Sequence, residues 1–127
     1  MKEPDYLLDT HVLLWLNEKT ARIPKAIISR LDSAERVYYS AASAWELSIK
    51  QTLGKIQLGA PISKFAERSR FLELAVTTAY AEVAATLPLH HKDPFDRMIV
   101  AQAMTERLVL ITADRRLAAY GVSILPV

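Results

Sequence analysis

Asp5-Tyr6-Leu7-Leu8-Asp9-Thr10-His11-Val12-Leu13-Leu14-Trp15-Leu16 is the stretch that decides the fold. Asp5 to Asp9 holds a short apolar run that reads as a buried strand, and the strongly apolar Thr10 to Leu16 reads as a mostly buried helix with Thr10 as a candidate cap. A strand passing directly into a buried helix is the repeating unit of an α/β sheet. Asp9 sits at the junction, on the carboxyl end of the strand, where open parallel sheets bind their ligands.

The same alternation continues outward from this unit. Pro24 opens a second helix with Ile27, Ile28 and Leu31 on its apolar side, running to about Ala34. Arg36 to Ser40 is rich in β-formers and reads as a second strand; Ala41 to Leu53 reads as a helix stopped by Gly54. Pro61 starts a helix that ends near Arg70, before a third strand at Phe71 to Val76. Thr78 to Leu87 is helical with Pro88 as its stop, Asp93 to Leu108 is a long helix, and Leu108 to Thr112 a fourth strand. Arg115 to Tyr120 reads as a short helix and Val122 to Leu125 as a fifth strand. Strands alternating with helices predict an α/β protein whose four to five strands form a parallel sheet with right-handed crossovers. Trp15 and Trp45, both in apolar helices, are expected in the core.

Composition bounds the function. The 127 residues, 51% hydrophobic and 24% charged, suit one globular domain over 1–127 that buries about two-thirds of its unfolded surface. Cysteine is absent, which removes disulfides and thiolate metal sites and accords with a reducing cytoplasm. The charged N-terminus does not read as a signal peptide, and Leu117 to Val127, the longest stretch without Lys, Arg, Asp or Glu, is about half a membrane span. A soluble cytoplasmic protein without membrane contact is expected.

Four acidic residues are expected to meet in the crevice of such a sheet. Asp9 follows the first strand, Asp114 follows Val109-Leu110-Ile111-Thr112, and Glu46 and Asp96 ride near helix starts. Two bare carboxylates about 4 Å apart repel by roughly 4 kcal/mol at an effective dielectric near 20, so a cluster of four calls for a divalent cation. Each acid has a plainer reading: Asp9 as a turn or cap, Glu46 paired with Lys50 at i,i+4, Asp114 as a cap of the last helix. In Asp93-Pro94-Phe95-Asp96 a cap accounts for one acid and leaves the other available. The conjunction of all four carries the argument. If Asp9, Glu46, Asp93, Asp96 and Asp114 of the 14 acidic residues form one site, nine face 16 basic ones elsewhere, a balance suited to a polyanionic substrate.

The basic neighbours Arg97, Lys50 and Lys55 are candidates for holding phosphates, although a solvated helix face is the commoner role. His90 and His91 lack a metal-ligand spacing and are expected to serve the loop or the packing. The chain has no glycine-rich phosphate loop and no G-x-S-x-G elbow.

Leu7-Leu8-Asp9-Thr10-His11, Ser43-Ala44-Trp45-Glu46-Leu47, Asp93-Pro94-Phe95-Asp96-Arg97 followed by Ala101-Gln102-Ala103, and Leu110-Ile111-Thr112-Ala113-Asp114 resemble, in order, the four sequence blocks of the PIN-domain nucleases. More narrowly they resemble the VapC-type toxins of type II toxin–antitoxin systems. The resemblance implies a three-layer α/β/α fold with a central parallel sheet and an acidic pocket for Mg²⁺ or Mn²⁺. Asp9, Glu46, Asp96 and Asp114 match the family's acidic quartet, and Thr112 a frequent hydroxyl of the last block. Asp93 is an extra acid of the Asp-Pro-Phe-Asp-Arg subgroup. A homodimer and inhibition by a small antitoxin are further implications.

Residues and resemblance lead to one expected mechanism, endoribonucleolytic hydrolysis of RNA phosphodiester bonds by a metal-activated water. Asp9 and Asp96 are the principal expected ligands, Glu46 and Asp114 further ligands or bases, with Arg97, Lys50 and Thr112 as candidate substrate contacts. Two other readings stand beside it. A phosphoryl-transfer or receiver-like module would use Asp9 as nucleophile, but the second Asp of a haloacid-dehalogenase-type phosphatase is replaced by His11. A non-catalytic PIN-like binding module would not need an intact quartet.

Overall fold

The apolar run Tyr6-Leu7-Leu8 is fully buried, which a strand achieves only in the middle of a sheet covered on both sides. The computed structural model describes residues 3–127 and places that run as β1 (Tyr6–Leu8). It pairs in parallel with β2 (Val37–Ser40) on one side and β4 (Val109–Thr112) on the other. β3 (Leu72–Leu74) and β5 (Ile124–Pro126) close the two edges, giving the order β3-β2-β1-β4-β5. The order reverses between β1 and β4. Such a switch point opens a crevice at the carboxyl ends of the two strands.

Among the described residues six α-helices connect and cover the sheet: α1 (Thr10–Glu18), α2 (Lys25–Ser33), α3 (Ala41–Thr52), α4 (Ile62–Arg68), α5 (Thr78–Thr86) and α6 (Pro94–Glu106). The two-residue period of the strands divides the interior into two cores. Tyr6, Leu8, Val37, Tyr39 and Ile111 face one, with Val12 and Leu13 of α1, Ile27 of α2 and Leu47 of α3. Leu7 and Leu110 face the other, with Ile99, Val100 and Ala103 of α6. Each fully buried aliphatic side chain contributes on the order of 1.5–3 kcal/mol. The result is the expected three-layer α/β/α arrangement.

Differences from the sequence reading lie mostly at the periphery. The edge strand β3 spans Leu72–Leu74 rather than Phe71 to Val76, since it has a partner on one side only. β5 begins at Ile124 because Val122 turns into the second core. Arg115–Tyr120 is a 3₁₀ helix. Thr10 does not cap α1. Its hydroxyl bonds Ser43 Oγ of α3 at 2.8 Å, while Asp9, in extended conformation, accepts the Thr10 N–H and caps the helix. α3 stops as expected before Gly54, whose φ of +75° suits a residue without Cβ. The largest correction concerns Trp45. It is not core: it stands 64% exposed on α3, whose inward face is taken by Ser43 and Leu47. Trp15 is partly buried against the first core.

Candidate active site

Asp9 is brought to the crevice by β1, and its backbone N–H is tied to Ile111 O of β4 at 2.9 Å. Its carboxylate is 4% exposed and both oxygens are held: Oδ1 accepts the Thr10 N–H at 2.8 Å and Oδ2 accepts the Thr112 hydroxyl at 2.6 Å. Burial raises its pKa, the two hydrogen bonds pull it down, and the charge of Glu46 raises it again. Thr112 in turn accepts the Asp114 N–H at 2.9 Å, so one hydroxyl sets the spacing of the acids that follow β1 and β4. Thr112 is fully buried, and both of its hydroxyl contacts are to the site's own residues Asp9 and Asp114.

The two acids at the start of α6 divide their labour. Asp93 caps the helix, its Oδ1 accepting the N–H groups of Phe95 at 2.8 Å and Asp96 at 3.2 Å. Asp96, one turn in, is left to the pocket. Burial first, then the charges of Asp9, Asp93, Glu46 and Asp114, push its pKa up to about 7. Convergence of acids from four separate segments is thus expressed in one side chain. Glu46 reaches the cluster from α3 while its Oε2 also pairs with Lys50 Nζ at 3.0 Å, the i,i+4 contact read from the sequence. Lys50 is therefore engaged with a site acid.

Arg97, a candidate phosphate contact, is engaged with the backbone in this structure. Its Nη1 donates to the carbonyls of Pro88 at 2.9 Å and His91 at 3.2 Å, and its Nη2 to those of Ala84 at 2.9 Å and Leu87 at 2.7 Å. A planar fork of donors is matched to such a task. The guanidinium closes the corner between α5 and α6, with both Nη groups engaged there. Sequence spacing could not foresee this, because the carbonyls belong to residues with no distinctive side chains.

His91 and Arg116 complete the pocket. His91 Nε2 lies 3.3 Å from Asp96 Oδ2 and 3.3 Å from Asp114 Oδ2. Its Nδ1 accepts the Asp93 N–H at 3.1 Å, which places the ring proton on Nε2, facing the carboxylates. His91 as arranged is a donor that steadies two acids; ligating a cation through Nε2 would require giving up the Asp93 bond. The expected loop role is thus corrected for His91, whereas His90 packs edge-on against Tyr120 with ring centroids 5.0 Å apart. Arg116 grips Asp114 with Nε at 2.9 Å and Nη2 at 2.8 Å, lowering that carboxyl to about 2. The signals for both were short: a histidine two residues before the cap of α6, an arginine two residues after Asp114.

The donor set fits a small divalent cation. Hard carboxylate oxygens suit Mg²⁺ or Mn²⁺, and a half-buried carboxyl raised by burial and by the charges of the surrounding acids is one that a cation would relieve. Atoms of His91, Asp96 and Asp114 also lie within 4.8 Å of one another.

Residues 6–122 match the PIN domain. The chain is 32% identical over 119 residues to Ribonuclease VapC22 of Mycobacterium tuberculosis, covering 90% of each chain. Its fold resembles that of VapBC2 from Rickettsia felis bound to a DNA fragment from their promoter, with a TM-score of 0.75 at 14% identity over 96% of this chain and 98% of that one. It also resembles VapBC-5 of M. tuberculosis, a member of the VapBC family of toxin-antitoxin systems, with a TM-score of 0.66 at 23% identity over 98% and 99%. With the sheet order, the acidic crevice and these matches in agreement, the chain belongs to the PIN-domain family.

Proposed function

We propose that this protein is a metal-dependent endoribonuclease and the toxin of a type II toxin–antitoxin pair. The 32% identity to a VapC ribonuclease supports the activity, and solved relatives described as toxin–antitoxin complexes support the biology. The observation that carries the reading is the convergence of Asp9, Glu46, Asp96 and Asp114 from separate segments on one pocket, where burial first and then the charges of the other acids raise the Asp96 carboxyl. A receiver-like use of Asp9 as nucleophile is disfavoured, since the residue is buried with both oxygens hydrogen-bonded.

Asp9 and Asp96 would be the principal holders of Mg²⁺ or Mn²⁺, with Glu46 and Asp114 completing the set. When bound, such an ion supplies a lowered pKa for water and Lewis acidity toward phosphoryl oxygen. The chain's own residues then fix positions and protons. Thr112 holds Asp9 in place and His91 steadies Asp96 and Asp114. Glu46, reaching in from α3, and Asp114, gripped by Arg116, are the acids assigned to take the proton of the attacking water. Water attacks phosphorus, the bond to the leaving ribose oxygen breaks, and that oxygen takes up a proton.

Control falls to other chains. Trp45, Ile49 and Leu53 form an exposed apolar line along α3 at i, i+4, i+8, with Val76 and Leu72 also exposed at the β3 edge. We assign this surface to protein partners, a second copy of the chain and a small antitoxin. Residues 1–127 would act as one domain, and among the described residues no helix is long and apolar enough to cross a membrane.

RNA cleavage by the pure protein tests the reading. Activity is expected to need Mg²⁺ or Mn²⁺ and to fall by orders of magnitude in Asp9→Asn and Asp96→Asn, which remove a charged ligand while keeping its shape. Full cleavage in EDTA would refute metal dependence.

A further inference from the structure

We infer that the cleft running outward from Asp9 and Asp114 along α1 is the track of a single RNA strand, with Trp15 as its base-stacking platform and Arg22 as its phosphate contact. The inference rests on the nuclease reading and deepens it by naming how substrate is held.

The cleft has a volume of about 510 Å³ and is lined by Asp9 and Asp114 together with His11, Trp15, Arg22 and Arg116. His11 and Trp15 are four residues apart and share a face of α1. Their rings lie 5.9 Å apart, tilted by 40°. The Arg22 guanidinium lies 5.1 Å from the centre of the Trp15 ring, an arrangement in which cation and indole attract. Among the described residues no carboxylate pairs with that guanidinium, although Arg22 is exposed. Once the guanidinium swings from the ring to a phosphate, this wall beside the acidic centre offers what a nucleotide needs: a flat apolar face for the base and a positive charge for the phosphate.

A larger cleft, between α3 and the start of α6, makes the choice by contrast. It has a volume of about 580 Å³ and is lined by Ala41, Trp45, Val76, Phe95 and Met98 among others, with no charged residue. A polyanion gains nothing there but apolar contact, whereas the Trp15 cleft offers both. Arg116 is already committed to Asp114 at the rim, so Arg22 is the cation free to meet the phosphate next to the scissile one.

Binding of a fluorescein-labelled single-stranded RNA oligonucleotide in EDTA, where hydrolysis is silent, tests the assignment. Trp15→Ala is expected to weaken binding about tenfold, in the range of lost base stacking. Arg22→Ala is expected to lower the slope of log affinity against log salt by about 0.7, one phosphate contact on a single strand. Because Trp15 also packs on the core, Trp15→Phe serves as a second variant that keeps an aromatic platform and should retain most of the affinity. In a Trp45→Phe background the remaining Trp15 emission should be quenched on adding RNA. Wild-type affinity with an unchanged salt slope in Arg22→Ala, or no quenching, would overturn this track while leaving the nuclease reading intact. Failure of the wild type to bind or cleave any RNA would overturn the nuclease reading itself, and the track with it.

Discussion

In one cleft Trp15 lies partly buried beside His11 and beneath the Arg22 guanidinium; in another, Trp45 stands exposed, edge-on to Phe95 at 5.3 Å. Both tryptophans sit on apolar helices that follow a strand of the same sheet, so hydrophobic pattern alone treats them alike. Their surroundings separate them. The first wall carries Arg22, a cation that a phosphate chain can use. The second is an apolar shelf continued down α3 by Ile49 and Leu53, which water leaves readily when another protein covers it. A residue's type names what it can do; its charged neighbours decide for whom.

The largest effect is expected at the point where the walls meet. Asp96→Asn should reduce RNA cleavage by orders of magnitude, yet in EDTA it should bind RNA as well as wild type or better, since one negative charge has left the path of a polyanion. Loss of binding together with cleavage would show that the walls do not hold substrate independently of the centre.

Next in size is a change confined to the apolar shelf. Ile49→Asp with Leu53→Asp should weaken association with a second copy or with a small partner by roughly tenfold or more, as expected when charge enters an apolar contact. RNA affinity should stay within about twofold, and sedimentation with parallel anisotropy measurements would show it. If RNA affinity falls instead, the roles of the two walls are exchanged.

A smaller effect concerns pH. Burial and neighbouring carboxylates hold Asp96 at about 7 in the folded protein, against about 3.9 in an unfolded chain. Protonation therefore favours folding, and this contribution is complete below about pH 4 and lost as pH rises through 7. Without metal the protein should melt higher at pH 6 than at pH 8, and Asp96→Asn should flatten the difference. Asp114, lowered to about 2 by Arg116, keeps its charge throughout that window. Mn²⁺ should raise the melting temperature of wild type more than that of the variant.

The smallest effect separates the two acids of α6. Asp93→Ala removes the acceptor of two N–H groups and should cost about 1 kcal/mol in urea unfolding, tempered by relief of the charge it places on Asp96. A stabilising outcome would mean that Asp93 acts chiefly as a fifth member of the repelling cluster.

The sheet and the acids were readable in sequence for a shared reason. β1 and β4 are covered on both faces, so Tyr6-Leu7-Leu8 and Leu110-Ile111 stand out as apolar runs, and Asp9 and Asp114 follow them at the ends where the crevice opens. Asp93 and Asp96 were separable because one helix start needs one cap. Trp45, Thr112, Arg97 and His91 were not legible in the same way. An indole faces solvent or core according to which side of α3 meets the sheet, a threonine hydroxyl acts on whatever lies across the strand, and Arg97 binds carbonyls that carry no sequence signature. These are properties of packing between segments distant along the chain.

Arg97 also has a consequence for motion. Its four carbonyl partners span Ala84 to His91, so the end of α5, the loop after it and the start of α6 are fastened at one point. Fraying of α5 alone would strand part of that fork without acceptors, which couples the corner into a single opening unit with one free energy. The imidazole that faces Asp96 and Asp114 hangs from that unit. Its orientation is kept by the cooperativity of a corner whose other members never touch the acids.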